Sequence, residues 1–158
     1  MTSISNQRVV YPGENGIACF LIPSPECGLT IEEIAEKDVP ANTPYRIVTT
    51  AEFPQDILFR DAWTFNEDEE EPVFSIDMPK ARDIHRNYIR AARKPLLEQL
   101  DIDFMQALEA ATSTTEIVAT KQALRDAPAD PAITAAQDLT DLKAQWDTEL
   151  LGASPYLA

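Results

Sequence analysis

His85 is the only histidine in 158 residues, which removes most acid–base pairs and most metal sets from consideration. Cys19 and Cys27 are the only cysteines. With one histidine they cannot complete a four-ligand zinc site within one chain, so each reads as a buried, reduced thiol. Asp56, Asp61 and Asp77 could pair as carboxylates, but their spacing does not require it. Glu67 to Glu71 is a run of five carboxylates without a glycine. A cation loop needs converging ligands and a glycine-permitted turn, so this run reads as a solvated, self-repelling loop. Gly13, Gly16, Gly28 and Gly152 are too scattered to cradle a phosphate. His85 falls at the edge of an apolar helical face and reads as structural. The sequence therefore assigns no catalytic, cofactor-binding or metal residue, and the expectation is a protein that binds rather than catalyses.

The net charge of −14 argues against affinity for nucleic acid, which depends on Lys and Arg neutralising phosphates, and against docking on an anionic membrane. The first apolar run, "GIACFLIP", lacks the basic flank and cleavage site of a secretory signal and is too short to span a bilayer. The expected location is cytosolic at synthesis. The charge is uneven. Residues 1–79 carry 15 acids and 4 bases, and 101–158 carry 10 acids and 3 bases. Between them, 80–100 carries 6 bases and 2 acids. That middle segment is either a binding face or the partner of the acidic flanks.

Elements that could position such a face follow from local signals. "IACFLI", Ile17 to Ile22, reads as a buried strand ended by Pro23 and Pro25. Thr30 can cap "IEEIAEK", with Glu32 and Glu33 in the first turn and Lys37 in the last. "YRIVTT", Tyr45 to Thr50, is a second strand, and strand–helix–strand suggests a small crossover unit. "ILFRDAWTF" and "PVFSIDM" flank the acidic run and predict a hairpin with a charged tip.

Asp77 and Pro79 mark the start of a long helix. At about 100° per residue, Arg82, Arg86, Arg90 and Arg93 form a stripe opposite an apolar face. After Pro95, Leu96, Leu100, Phe104 and Leu108 occupy the phase the arginines held. That swing predicts a kink or break at Lys94–Pro95, with the two halves packing on different partners. Arginines followed by leucines on one surface suit a protein interface, so Arg82, Arg86, Arg90, Arg93, Leu97, Leu100 and Phe104 are the candidate partner-binding residues. The alternative is a solvated face paired with the acidic hairpin tip. Farther on, Ser113 and Glu116 form a capping-box pattern before "EIVATKQALRD". A final helix over Thr140 to Leu151 stops at Gly152. A helical hairpin follows, with Met105 and Leu108 meeting the Ile117 to Leu124 stripe. The expected fold is α+β: a small mixed β-sheet module with one short helix over 1–78, then a kinked long helix and helical hairpin over 79–158.

"DILFRDAWTF", "MPKARDIHRNYIRAARKPLLEQLDIDFMQALE", "KQALRDAPADPAI" and "LTDLKAQW" together resemble the small tail-fibre-associated and tail-fibre assembly proteins of tailed bacteriophages. The likeness runs over about Asp56 to Trp146. It implies a non-enzymatic protein that binds a fibre or neighbouring tail protein, as an assembly chaperone, a retained virion subunit or both, with self-association beside it. The setting it implies is host cytoplasm during assembly and, if retained, the virion tail. A competing reading is an acidic DNA mimic that occupies a host DNA-binding protein. The basic helix weighs against a mimic, which needs a continuous negative face.

Overall fold

The computed structural model describes residues 6–157. The chain divides between Asp77 and Met78 into two compact units. The fold is α+β, with small antiparallel sheets first and helices after them.

The first unit is built on β1 (Gln7–Pro12), which pairs antiparallel with β2 (Ala18–Leu21) on one side and β3 (Arg46–Thr49) on the other. Val9 faces Leu21 and Ile47, while Val10 faces Phe20 and Arg46. Successive strand residues point to opposite faces, and both valines are buried, so this strand is covered on both sides. On the Val9 side lies α1 (Ile31–Asp38), through Ile31 and Ala35. On the Val10 side lies a second sheet, β4 (Trp63–Phe65) with β5 (Phe74–Ile76), through Trp63, Val73 and Phe74. Phe53 fills the seam, edge-on to Phe20 at 5.1 Å and tilted on Phe74 at 4.7 Å. The Thr30 cap forms as a reciprocal box with Glu33.

Three expectations change in this unit. The sheets are antiparallel rather than mixed, because β1, unmarked in the sequence reading, sits between β2 and β3. The first arm of the acidic hairpin is short, since Ile57–Ala62 forms 3₁₀ turns and only Trp63–Phe65 is strand. Cys27 is exposed and Cys19 only partly covered, so neither is a fully buried thiol.

The acidic loop is compact rather than splayed. One guanidinium nitrogen of Arg46 donates to the carbonyls of Asn66, Asp68 and Glu71 at 3.2, 2.9 and 2.9 Å. The Asn66 and Asp68 side chains accept from the backbone two residues on, as Asx turns.

The second unit opens with α2 (Met78–Glu109), 32 residues that continue through Pro95. The expected break is absent, and the covered residues explain why. Ala81, His85, Ile89, Arg93, Leu97, Leu100, Phe104 and Ala107 are buried or half-buried and follow one another at steps of three or four. Four successive steps of four turn the stripe gradually around the helix, so the apparent swing is drift rather than a kink. Pro95 and Ala91 are both exposed. The hydrogen bond that proline removes is therefore lost on the wet face, where water can serve the Ala91 carbonyl.

α2 ends in a Schellman turn. The N–H of Thr112 donates to Ala107 O at 2.9 Å and that of Ala111 to Leu108 O at 3.1 Å. Ala111 takes φ +53°, a left-handed position usually given to glycine. The chain then returns along α2 as α3 (Thr115–Asp126). The capping box expected of Ser113 and Glu116 does not form. Ser113 Oγ instead accepts from the Thr115 N–H. Met105 and Leu108 are exposed rather than seated on α3. The single final helix expected over Thr140 to Leu151 is two short ones, α5 (Leu139–Ala144) and α6 (Thr148–Leu151), and a further short helix, α4 (Pro131–Ala135), precedes them. Asp130, Asp138 and Asp147 cap them in turn.

Ala111→Gly relieves the left-handed alanine and is expected to stabilise the protein by about 1 kcal/mol in denaturant unfolding. An unchanged or lower stability would show that the turn carries no strain.

Candidate functional site

The arginine stripe of α2 is the candidate binding group, and the structure gives most of it an internal task. Arg82 Nη2 donates to the Ala136 carbonyl at 2.9 Å, just past the end of α4. Arg86 Nε donates to Pro128 O at 3.3 Å, and its other nitrogens reach Thr134 Oγ1 at 3.0 Å and Asp83 Oδ1 at 3.1 Å. Arg93 Nη1 donates to Leu124 O at 3.1 Å and Arg125 O at 2.8 Å, in the last turn of α3. Helix ends leave four carbonyls without intrahelical partners, and the helix dipole makes those ends negative. Guanidinium groups answer both needs, with several donors in a fixed fork. Arg90 alone of the four is exposed, donating to Asn87 Oδ1 at 2.8 Å.

Leu97, Leu100 and Phe104 continue the same covered stripe and are half-buried. Lys121 of α3 lies over the Phe104 ring, 5.3 Å from its centre, and also pairs with Asp101. The seven residues singled out in the sequence thus lie along one helix, six of them on its covered or half-covered sides. What is left in solvent is a different set: Leu96, Ile102, Met105 and Leu108 on α2, and Val118 on α3. Ile102 was not identified from sequence. Its signal was readable, because it falls opposite the covered stripe in helical phase.

His85 is fully buried, as a structural residue would be. Its Nδ1 is 2.7 Å from the Tyr156 hydroxyl, with the two rings nearly parallel. Trp146 stands edge-on to both rings, and Tyr88 edge-on to Tyr156. The Trp146 indole N–H donates to Gly152 O at 3.0 Å, where φ of +82° ends α6. This aromatic box fastens the C-terminal residues to α2. His85 Nε2 has no partner among the described residues. The tautomer with hydrogen on Nδ1 donates to Tyr156 and leaves only a bare lone pair buried, which costs less than an unpaired N–H. Burial lowers the imidazole pKa to about 4, with a smaller push from Arg86, and raises that of the Tyr156 phenol.

A cleft of about 390 Å³ opens between α2, α3 and α6, lined among others by Ile89, Leu150, Asp126, Asp130 and Asp147. Two of these carboxylates are the helix caps already described. Among the described residues, no group of three or more His, Cys, Asp or Glu side chains is placed to hold a metal ion, and no helix is long and apolar enough to cross a membrane.

An imidazole with a folded pKa near 4 and an unfolded one near 6.5 binds more protons when unfolded. Its stabilising effect is therefore complete above the unfolded value and is lost as pH falls from about 6.5 towards 4, by about 3 kcal/mol in all. Urea unfolding at a series of pH values should show this loss in the parent protein and not in His85→Phe. The same slope in both would place the titrating group elsewhere.

Comparison with known protein families, curated sequences and solved structures finds no match to this chain.

Proposed function

We propose that this protein is a non-enzymatic binding protein that engages another protein chain, with a tail-fibre or other tail protein of a tailed bacteriophage as the partner the sequence resemblance favours. The carrying observation is that five of the eleven large apolar side chains exposed among the described residues fall on two paired helices. Leu96, Ile102, Met105, Leu108 and Val118 stand in solvent on α2 and α3, whereas the core of the same unit buries Ile89, Leu124, Ile133 and Leu142. Exposed apolar side chains grouped on one supersecondary unit are characteristic of a contact surface.

A fibre chain before trimerisation presents apolar surface and unpaired strand edges that aggregate. An acidic protein covering them would keep the complex soluble, whether it departs as a chaperone or stays as a virion subunit. Arg90 is the exposed member of the stripe available to such a partner. The internal hydrogen bonds of Arg82, Arg86 and Arg93 leave them a supporting role.

A second reading is the acidic DNA mimic. It is favoured by one observation, the compaction of residues 66–71 around Arg46, which gives the carboxylate run a fixed backbone.

A tagged chain captured from its native lysate at moderate salt, with stoichiometry read by mass spectrometry, separates the two. The expected result is one long fibre-like chain at a fixed ratio, retained as salt rises. Recovery of a DNA-binding protein that is released steeply by salt would overturn this reading in favour of the mimic.

A further inference from the structure

The exposed apolar side chains of α2 are ordered. Ile102, Met105 and Leu108 follow one another at i, i+3 and i+6, and are 52, 56 and 52% exposed. On a helix such residues form a continuous ridge. One turn from its members lie Glu98, Asp101 and Glu109, all exposed. From Pro95 to Thr120 the chain carries five acids and no Lys or Arg. The nearest base on α3, Lys121, is half-buried between Asp101 and the Phe104 ring. Glu98 and Glu109 have no cationic partner among the described residues.

We infer that this ridge, framed by Glu98, Asp101 and Glu109, is the docking surface for a basic amphipathic helix of the partner protein. The inference rests on the protein-binding reading above and adds the place and the chemistry. The apolar ridge supplies the contact that excludes water, and Glu98 and Glu109, which lack the pairing that Asp101 has with Lys121, select Lys or Arg on the flanks of the incoming helix. A second copy is the wrong occupant, because pairing two such faces would bring Glu98 and Glu109 of both copies together with no cation between them. The arginine stripe also explains why the ridge is free. By holding the end of α3 and α4 to one side of α2, it leaves the opposite side without an intramolecular cover.

The probe is a synthetic amphipathic helix of leucine and lysine about 18 residues long, with a second peptide carrying glutamate in place of each lysine. Titration of the full chain, followed by backbone NMR, should show the lysine peptide shifting resonances over 98–109. The glutamate peptide should not bind. Ile102→Gln with Met105→Gln, both at exposed positions, should weaken binding by about tenfold or more. Glu98→Gln with Glu109→Gln should weaken it several-fold at low salt and less at high salt. Glu69→Gln with Glu70→Gln in the acidic loop should leave it unchanged.

Equal binding of the two peptides, or loss of binding through the loop substitutions alone, would overturn the inference, since the first removes charge selection and the second relocates the site. A concentration-dependent dimer abolished by Met105→Gln would overturn it in favour of self-association. In lysate capture, a partner retained at full strength by the Ile102→Gln, Met105→Gln chain would sink this surface while leaving the binding function intact. Tight lysine-peptide binding together with recovery of a salt-released DNA-binding protein would do the reverse.

Discussion

Guanidinium groups bonded to backbone carbonyls at helix ends are the interaction on which the second unit depends. α4, α5 and α6 are five, six and four residues long, far below the length at which a helix sustains itself in water. Aspartates cap their N-termini, but their C-terminal carbonyls still need donors. Arg82 supplies one for α4, at Ala136, while Arg86 and Arg93 satisfy Pro128, Leu124 and Arg125 at the end of α3 and in the turn after it. The aromatic box around His85 then secures the last residues, through Tyr156 and Trp146. A chain with 27 acids and 13 bases thus spends much of its scarce positive charge on internal backbone acceptors.

The first unit uses a similar device at Arg46. Arg46 leaves the sheet face shared with Val10 and Val48 and gathers three loop carbonyls, turning a stretch of like charges into a compact tip. Its core differs in kind, since β1 is buried on both faces between α1 and the second sheet. Val9 and Val10 therefore carry the packing of both layers, and a polar side chain at either position would be shut away from water.

Much of this was legible in the sequence, and what was missed has definite causes. The Thr30 cap, β2, β3 and the long helix followed from capping, β-branched runs and helical periodicity. β1 escaped because a strand buried on both sides shows no alternation, and "QRVVYP" is too short to announce itself by composition. The helix after Pro95 was misjudged because proline is destructive only where its missing hydrogen bond cannot be replaced, and exposure at Ala91 is not visible in a linear pattern. α4 had a readable start in Asp130–Pro131, but five residues give no periodicity. The arginine stripe was obvious as a feature and opaque as a function. Its acceptors are backbone carbonyls 31 to 54 residues away, and a carbonyl leaves no mark in the residue types.

The central claim is that the stripe of α2 is an internal staple, and Arg82→Lys, Arg86→Lys and Arg93→Lys combined in one chain test it most directly. Lysine keeps the charge but carries it on one nitrogen at the end of a shorter reach, so it cannot reproduce the three separate contacts that Arg86 makes through Nε, Nη1 and Nη2. Hydrogen exchange followed residue by residue should show protection lost across 124–136 in this chain and retained in Arg90→Lys. Unchanged protection in the triple variant would contradict the account and return the arginines to the outer surface as a binding face.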